Sequence, residues 1–411
     1  MQYRQHQLDN GLQILAECND AGYFAGFGFF VRTGSRDESA DLGGVSHFLE
    51  HMVFKGTDHR SADQVNLELD ELGSSSNART GEESTIYHAS VLPEFQGRVI
   101  ELLADLMRPA LRDEDFETEK KVIIEEIMMY QDQPPYGGHE ILMANYFGNH
   151  PLGQSILGTP ETVSGLTANR MRDYFEQRYS PQNMAIVASG KVDFDQLVKD
   201  AEKYCGQWQP RQSLRTYEPV KANFSFSTLL KETSTQQYVM QLSPGPSTHD
   251  ADRYAMRILT TIIGDDGGSR LFWEMLDTGL AESAAIGSYE FLGAGMVMSY
   301  FCCDPDRAQE NLERLYKIQA SATQGITPRE LELAKQKIVA HILLASERTE
   351  ARMFSVGGQW LAEQEFKTPA QLAECYKAVT LIDVLAVAEK YSLTRSCTLC
   401  VGPRHDLQPV G

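Results

Sequence analysis

Apolar residues along the chain fall into two kinds of run. Short stretches rich in β-branched and aromatic residues, bounded by glycine or polar turns, read as strands. They are GLQILAE (11–17), YFAGFGFFVRTG (23–34), STIYHASVL (84–92) and NMAIVASG (183–190) in the first half. FSFSTLLKE (224–232), QQYVMQLS (236–243) and GMVMSYFCC (295–303) follow in the second. Longer stretches between them read as helices. One covers 61–72, opened by a Ser61-x-x-Gln64 capping box and closed by Gly73. Others run through 94–107 and 113–132, the latter stopped by Pro134-Pro135. A further helix opens at Thr327-Pro328-Arg329-Glu330, with proline at its first position. Strands and helices alternate irregularly in each half, so the expected class is α+β, a mostly antiparallel sheet packed with helices.

The two halves share a plan. LTANRMRDYFEQRYSPQNMAIVASG (166–190) resembles VTLIDVLAVAEKYSLTRSCTLCVG (379–402), at an offset of 212–213 residues. Each has a threonine opening a helix, then a Tyr-Ser pair (Tyr179-Ser180, Tyr391-Ser392), then an apolar strand ending in glycine. GQWQPRQSLRTYEPV (206–220) between them has the polar, proline-containing character of a linker. At 411 residues and 46.0 kDa the chain exceeds one ordinary core. Two homologous domains of about 200 residues are expected: 1–210, a linker at 211–220, and 221–411.

Composition narrows the partners. A formal net charge of −20 repels nucleic acid and anionic membrane surfaces. No apolar run is long enough to span a bilayer. The opening MQYRQHQLDNGLQILAE has no basic segment followed by an apolar stretch, so no signal peptide is expected, and the cytoplasm is the default location. Seven cysteines at irregular spacing argue against a disulfide framework. Cys397 and Cys400 sit in the strand-like SCTLCVG, where residues three apart face opposite sides, and read as two core thiols.

Chemistry concentrates in VSHFLEHMVFKGT (45–57). On a helix His47, Glu50 and His51 share one face. Two imidazoles one turn apart can hold a metal ion, and the carboxylate beside them can act on water at that ion. Composition predicts roughly 0.03 chance occurrences of His-x-x-acid-His, so the motif carries information. Catalytic zinc takes three protein ligands and keeps one open position. The helix FETEKKVIIEEIMMYQD (116–132) offers carboxylates for the third place. Glu119 and Glu126, two turns apart, lie on one face, with Glu125 about 100° away. Spacing alone does not choose among them.

These motifs, with TGSRDE ahead of them and GSSSNARTGEESTIYH, HPLGQSILGTPETV and RYSPQNMAIVASG behind, fall in one family order. The chain resembles the pitrilysin family of inverted-motif zinc peptidases. Its size and two-fold repeat resemble the mitochondrial-processing-peptidase branch and its small bacterial homologues. The resemblance implies a clam shell of two domains, a homodimer, Zn2+ as cofactor, and unfolded or extended peptides as substrates. It makes His47, His51 and Glu126 zinc ligands and Glu50 the general base. Glu119 becomes the carboxylate that orients a ligand. SSSNART (74–80) becomes a substrate-binding edge strand, with Asn77 and Ala78 against the peptide backbone. In the second half GGSRLFWEM (267–275) resembles a degenerate copy of GGVSHFLEHM, so a single zinc site is expected. Aligned on the family, Leu276 and Glu282 stand where many active relatives carry an arginine and a tyrosine; Tyr289 or Tyr300 is the nearby candidate to replace them. A zinc metalloendopeptidase is the leading function. A non-catalytic structural or partner-binding subunit is the alternative.

Overall fold

The computed structural model describes residues 1–410. They form two compact units. The first comprises Met1–Met128, Gln154–Thr216 and Leu344–Phe366; the second comprises Met129–Gly153, Tyr217–Leu343 and the residues from Lys367 onward. The units are not continuous in sequence: each draws one short segment from the other half of the chain.

The first unit is built on β1 (Gln2–Gln7), β2 (Gln13–Cys18), β3 (Ala25–Val31), β4 (Ser75–Thr80), β5 (Thr85–Val91) and β6 (Met184–Gly190), in the order β1-β2-β6-β3-β5-β4. β2 and β6 are parallel, and the other pairs are antiparallel. The central β3 is buried on both faces, which its unbroken apolar run requires. Phe27, Phe29 and Val31 face one core, with Phe48, Leu49 and Met52 of α1 (Val45–Val53). The same side carries α2 (Ala62–Glu71), α3 (Gln96–Leu106) and the buried positions Phe116, Ile123 and Ile127 of α4 (Asp113–Asp132). The capping box at Ser61 and Gln64 forms as its sequence predicts.

The chain continues with α5 (Gly138–Phe147), α6 (Pro160–Gly165), α7 (Ala168–Arg178) and α8 (Phe194–Cys205). The second sheet then uses β7 (Phe226–Leu230), β8 (Gln237–Pro244), β9 (Ser283–Phe291), β10 (Ala294–Cys303) and β11 (Cys397–Gly402), in the order β7-β11-β8-β10-β9. This order matches β2-β6-β3-β5-β4 strand for strand, including the single parallel pair, β7 with β11. The repeat seen between β6 and β11 therefore extends to the whole sheet. Its helices are α9 (Arg253–Gly264), α10 (Ala308–Ala320), α11 (Pro328–Ser346), α12 (Thr349–Leu361), α13 (Pro369–Lys377) and α14 (Leu381–Lys390). Cys397 and Cys400 are buried free thiols in β11.

The outer faces explain the interleaving. In the first unit Leu15, Phe30, Ile86, Ala185 and Val187 pack under Met353 and Val356 of α12. In the second, Met240, Leu242 and Val401 pack under Leu142, Met143 and Tyr146 of α5. Both helices come close through a glycine. A Cβ on Gly357 would sit 2.2 Å from the Phe30 ring, and one on Gly138 would sit 2.4 Å from the Met240 methyl.

Two strands escaped the sequence pattern. β1 is polar apart from Tyr3, and β9 (SAAIGSYEF) mixes small and polar residues; both are edge strands, held by one neighbour each. One alignment changes. Residues 267–275 do not take the place of α1: they lead into a short helical turn, Phe272–Leu276, ahead of β9, as α2 stands ahead of β4. The helix that follows β8, as α1 follows β3, is α9.

Candidate metal centre and substrate edge

α1 starts after Gly44, whose φ of +91° is left-handed and where a Cβ would lie 2.5 Å from the Leu157 carbonyl oxygen. No larger residue fits there. Its free N–H groups are met by a side chain from upstream. The Gly44 and Ser46 amides donate to the two oxygens of Glu38, each at 2.7 Å. Burial pushes the Glu38 carboxyl up to about 8, against these two hydrogen bonds. The Tyr174 hydroxyl lies 2.7 Å from Ser46 Oγ and 3.0 Å from Thr33 Oγ1, tying the first turn of the helix to the end of β3.

The face of α1 that carries buried His47 and half-buried Glu50 and His51 meets α4. His47 Nε2 lies 3.8 Å and His51 Nε2 3.5 Å from the same oxygen, Oε2 of Glu126. Candidate ligand atoms of the three residues all fall within 4.8 Å of one another. These separations are too long for hydrogen bonds. They approach the edge of a tetrahedron, about 3.3–3.6 Å for ligand bonds of about 2.0–2.2 Å. The donor set, two imidazoles and a carboxylate, fits zinc. Burial, then the neighbouring His51, lowers His47 to about 4, so its ring is neutral and keeps a lone pair for a metal. The His47 Nδ1 atom is buried without a partner.

Glu119, one of the three carboxylates that spacing left open, sits behind His51. Its Oε1 lies 2.9 Å from His51 Nδ1, and its Oε2 2.6 Å from Lys55 Nζ. An Nδ1 proton directed at Glu119 leaves the Nε2 lone pair facing Glu126, the usual device for orienting a metal-binding histidine. For Glu119 burial opposes ionisation, but the bonds from His51 and Lys55 outweigh it and hold the carboxyl below its ordinary value. For His51 burial is likewise outweighed, by Glu119 and then the charge of Glu126, and its pKa rises. Glu125 points to solvent, outside the cluster.

Glu50 shares the face of the two histidines. Its Oε2 accepts a hydrogen bond from Thr80 Oγ1 at 2.5 Å. Burial raises its pKa, partly offset by that bond and by His51. Thr80 ends β4, the outermost strand of the sheet. On this strand Asn77 is exposed, while Ala78 packs against the core beneath α1. The Ala78 amide donates to Asn77 Oδ1 at 2.9 Å, so a peptide pairing at that amide displaces the Asn77 side chain. A cavity of about 400 Å3 opens here, lined by Glu50, His51, Lys55, Asn66 and the strand positions Asn77 and Ala78. Sequence reasoning missed Lys55, Thr80 and Glu38. Lys55 was open to discovery, being four residues after His51; the other two carry no local signal.

Residues 13–160 match the family described as insulinase (peptidase family M16), and residues 165–338 match the domain described as peptidase M16 inactive domain. Over 391 residues the chain is 32% identical to the uncharacterized zinc protease YmxG of Bacillus subtilis, a match covering 94% of this chain and 95% of that protein. The chain belongs to the insulinase family, peptidase family M16. An uncharacterized zinc protease of Streptomyces coelicolor is 31% identical over 419 residues, covering 98% of this M16 chain and 90% of its own. The fold is similar to that of a protease from Helicobacter pylori, at a TM-score of 0.91 and 19% identity, covering 97% of this chain and 99% of that one. A Pseudomonas fluorescens structure titled as a peptidase M16 inactive domain superposes at 0.91 with 16% identity over the whole of both chains.

In the second unit of this M16 chain, Leu276 ends the helical turn before β9 and Glu282 lies exposed just ahead of that strand. Neither offers a guanidinium or a phenol. Tyr289 is 48% exposed on β9, and Tyr300 is half-buried on β10. Among the described residues the group that could hold a metal ion is His47, His51 and Glu126.

Proposed function

We propose that the chain is a zinc-dependent endopeptidase of the processing-peptidase-like branch, acting on extended or unfolded peptides. The observation that carries this reading is the convergence of His47, His51 and Glu126, with Glu50 on the same helix face and held from β4. His47, His51 and Glu126 hold the zinc, and Glu119 fixes the His51 ring. When bound, the ion supplies a Lewis acid that lowers the pKa of a water to about 7 and polarises a carbonyl. Glu50 would take a proton from the attacking water and return it to the leaving amine. The outer edge of β4, where the Ala78 amide is held by the Asn77 side chain, would present its backbone groups to an extended peptide, which pairs with them whatever its side chains. A second reading, a non-catalytic peptide-binding subunit, is favoured by Leu276 and Glu282 in place of arginine and tyrosine. Metal analysis combined with cleavage of a quenched peptide library separates the two. One zinc per chain and cleavage abolished by a chelator support the peptidase. Peptide binding without cleavage, at full zinc loading, supports the subunit.

A further inference from the structure

We propose that Thr80 is the positioning residue of the general base: its hydroxyl fixes one oxygen of Glu50 and leaves the other free for the attacking water. The inference rests on the reading of Glu50 as that base. Thr80 Oγ1 is the hydrogen-bond partner of the Glu50 carboxylate, at 2.5 Å, and it comes from a different element, 30 residues away. A short bond from a hydroxyl to a carboxylate belongs to the stronger class of hydrogen bonds. It acts on a flexible side chain that would otherwise sample several rotamers.

The donor is itself well fixed. Threonine is stiff at χ1. Thr80 pairs with Thr85 across β4 and β5, and the Gly81 amide closes the turn on the Ser84 carbonyl at 2.8 Å. The Thr85 hydroxyl then anchors the hairpin to the Thr33 carbonyl at 2.9 Å. Ala78 and Thr80, two apart on one strand, project to the same side. A peptide laid along β4 is therefore located by the strand that also locates Glu50. The base is referenced to the substrate as well as to the zinc-binding helix.

The test compares Thr80→Val, Thr80→Ser and Glu50→Gln, with the Thr80→Val/Glu50→Gln double variant, all as zinc-loaded full chains. Thr80→Val should keep its zinc and its KM and lose about 10–100-fold in kcat, part of the factor that a general base supplies. Thr80→Ser, which restores the hydroxyl, should recover most of that loss. In the Glu50→Gln background the valine change should cost less than about 2-fold, because residues acting as one unit are not additive. Unchanged kcat in Thr80→Val, equal losses in Val and Ser, or the full loss again on top of Glu50→Gln would each overturn the inference. Should the valine variant not fold, Thr80→Ala takes its place. A crystal structure of the variant gives a readout independent of turnover. The Glu50 carboxylate should leave its position while His47, His51 and Glu126 hold theirs; an unmoved Glu50 refutes the proposal. Wild-type cleavage by Glu50→Gln alone would overturn the underlying reading instead.

Discussion

Glu125 and Glu126 are adjacent in sequence and alike in chemistry, yet only Glu126 reaches both imidazoles, while Glu125 faces solvent. Glu126→Gln should therefore lose zinc, with affinity falling at least 10–100-fold, and Glu125→Gln should retain it; the size is that of disturbing a metal shell. Atomic absorption on the dialysed proteins decides, and equal zinc loss in both would give the third ligand place to a different side chain. The histidine pair could be read from sequence because helical spacing fixes which side chains share a face. The carboxylate could not, since the angle at which α4 meets α1 is set by the core that includes Phe48, Phe116 and Ile123. Thr80 was hidden for the same reason. A strand and a helix 30 residues apart meet only through tertiary packing.

At the scale of elements, α1 is aimed by what holds its first turn. Glu38 keeps its proton in the folded chain up to about 8, whereas an unfolded glutamate releases it near 4.3. The folded state thus binds more protons in that interval, and the stabilisation, complete at low pH, is lost as pH rises through the folded value. The stability of wild type relative to Glu38→Gln should shrink between about pH 5 and 8. Thermal melts of both proteins across that range test it; a margin that widens with pH would make the ionised carboxylate the stabilising cap. α12 offers a second test. Met353 and Val356 cover the sheet, and Gly357 lets the helix settle on Phe30. Gly357→Val should cost about 1–3 kcal/mol by overpacking, measurable by urea denaturation. An unchanged midpoint would mean that the helix shifts freely. Local capping boxes at Ser61 and Thr327 were legible because their partners lie three residues away. The return of residues 344–366 to the first sheet was not, because no pattern within α12 states which apolar face it covers.

For the whole molecule, the proposed pairing of substrate with β4 selects by conformation. A stable globular protein presents no free extended strand, and a denatured one does. One test protein, supplied native and then denatured and alkylated, should be cut only in the second form; comparable cleavage of both would rule out strand addition. The net charge of −20 should add a modest preference for basic peptides that fades with salt.

The interleaving of the two halves also sets a schedule. During synthesis the strands of the first sheet are all available once β6 is made, but their outer face waits for α12, about 160 residues later. At about 5–20 residues per second this interval lasts roughly 8–30 s. Throughout it Leu15, Phe30, Ile86 and Val187 have no cover. α5 waits in turn, its apolar side made well before the strands it will rest on. The nascent chain therefore carries two uncovered surfaces at once, and each is closed by a segment from the opposite half. Slow translation lengthens the time in which chaperones, or other nascent chains, can reach them.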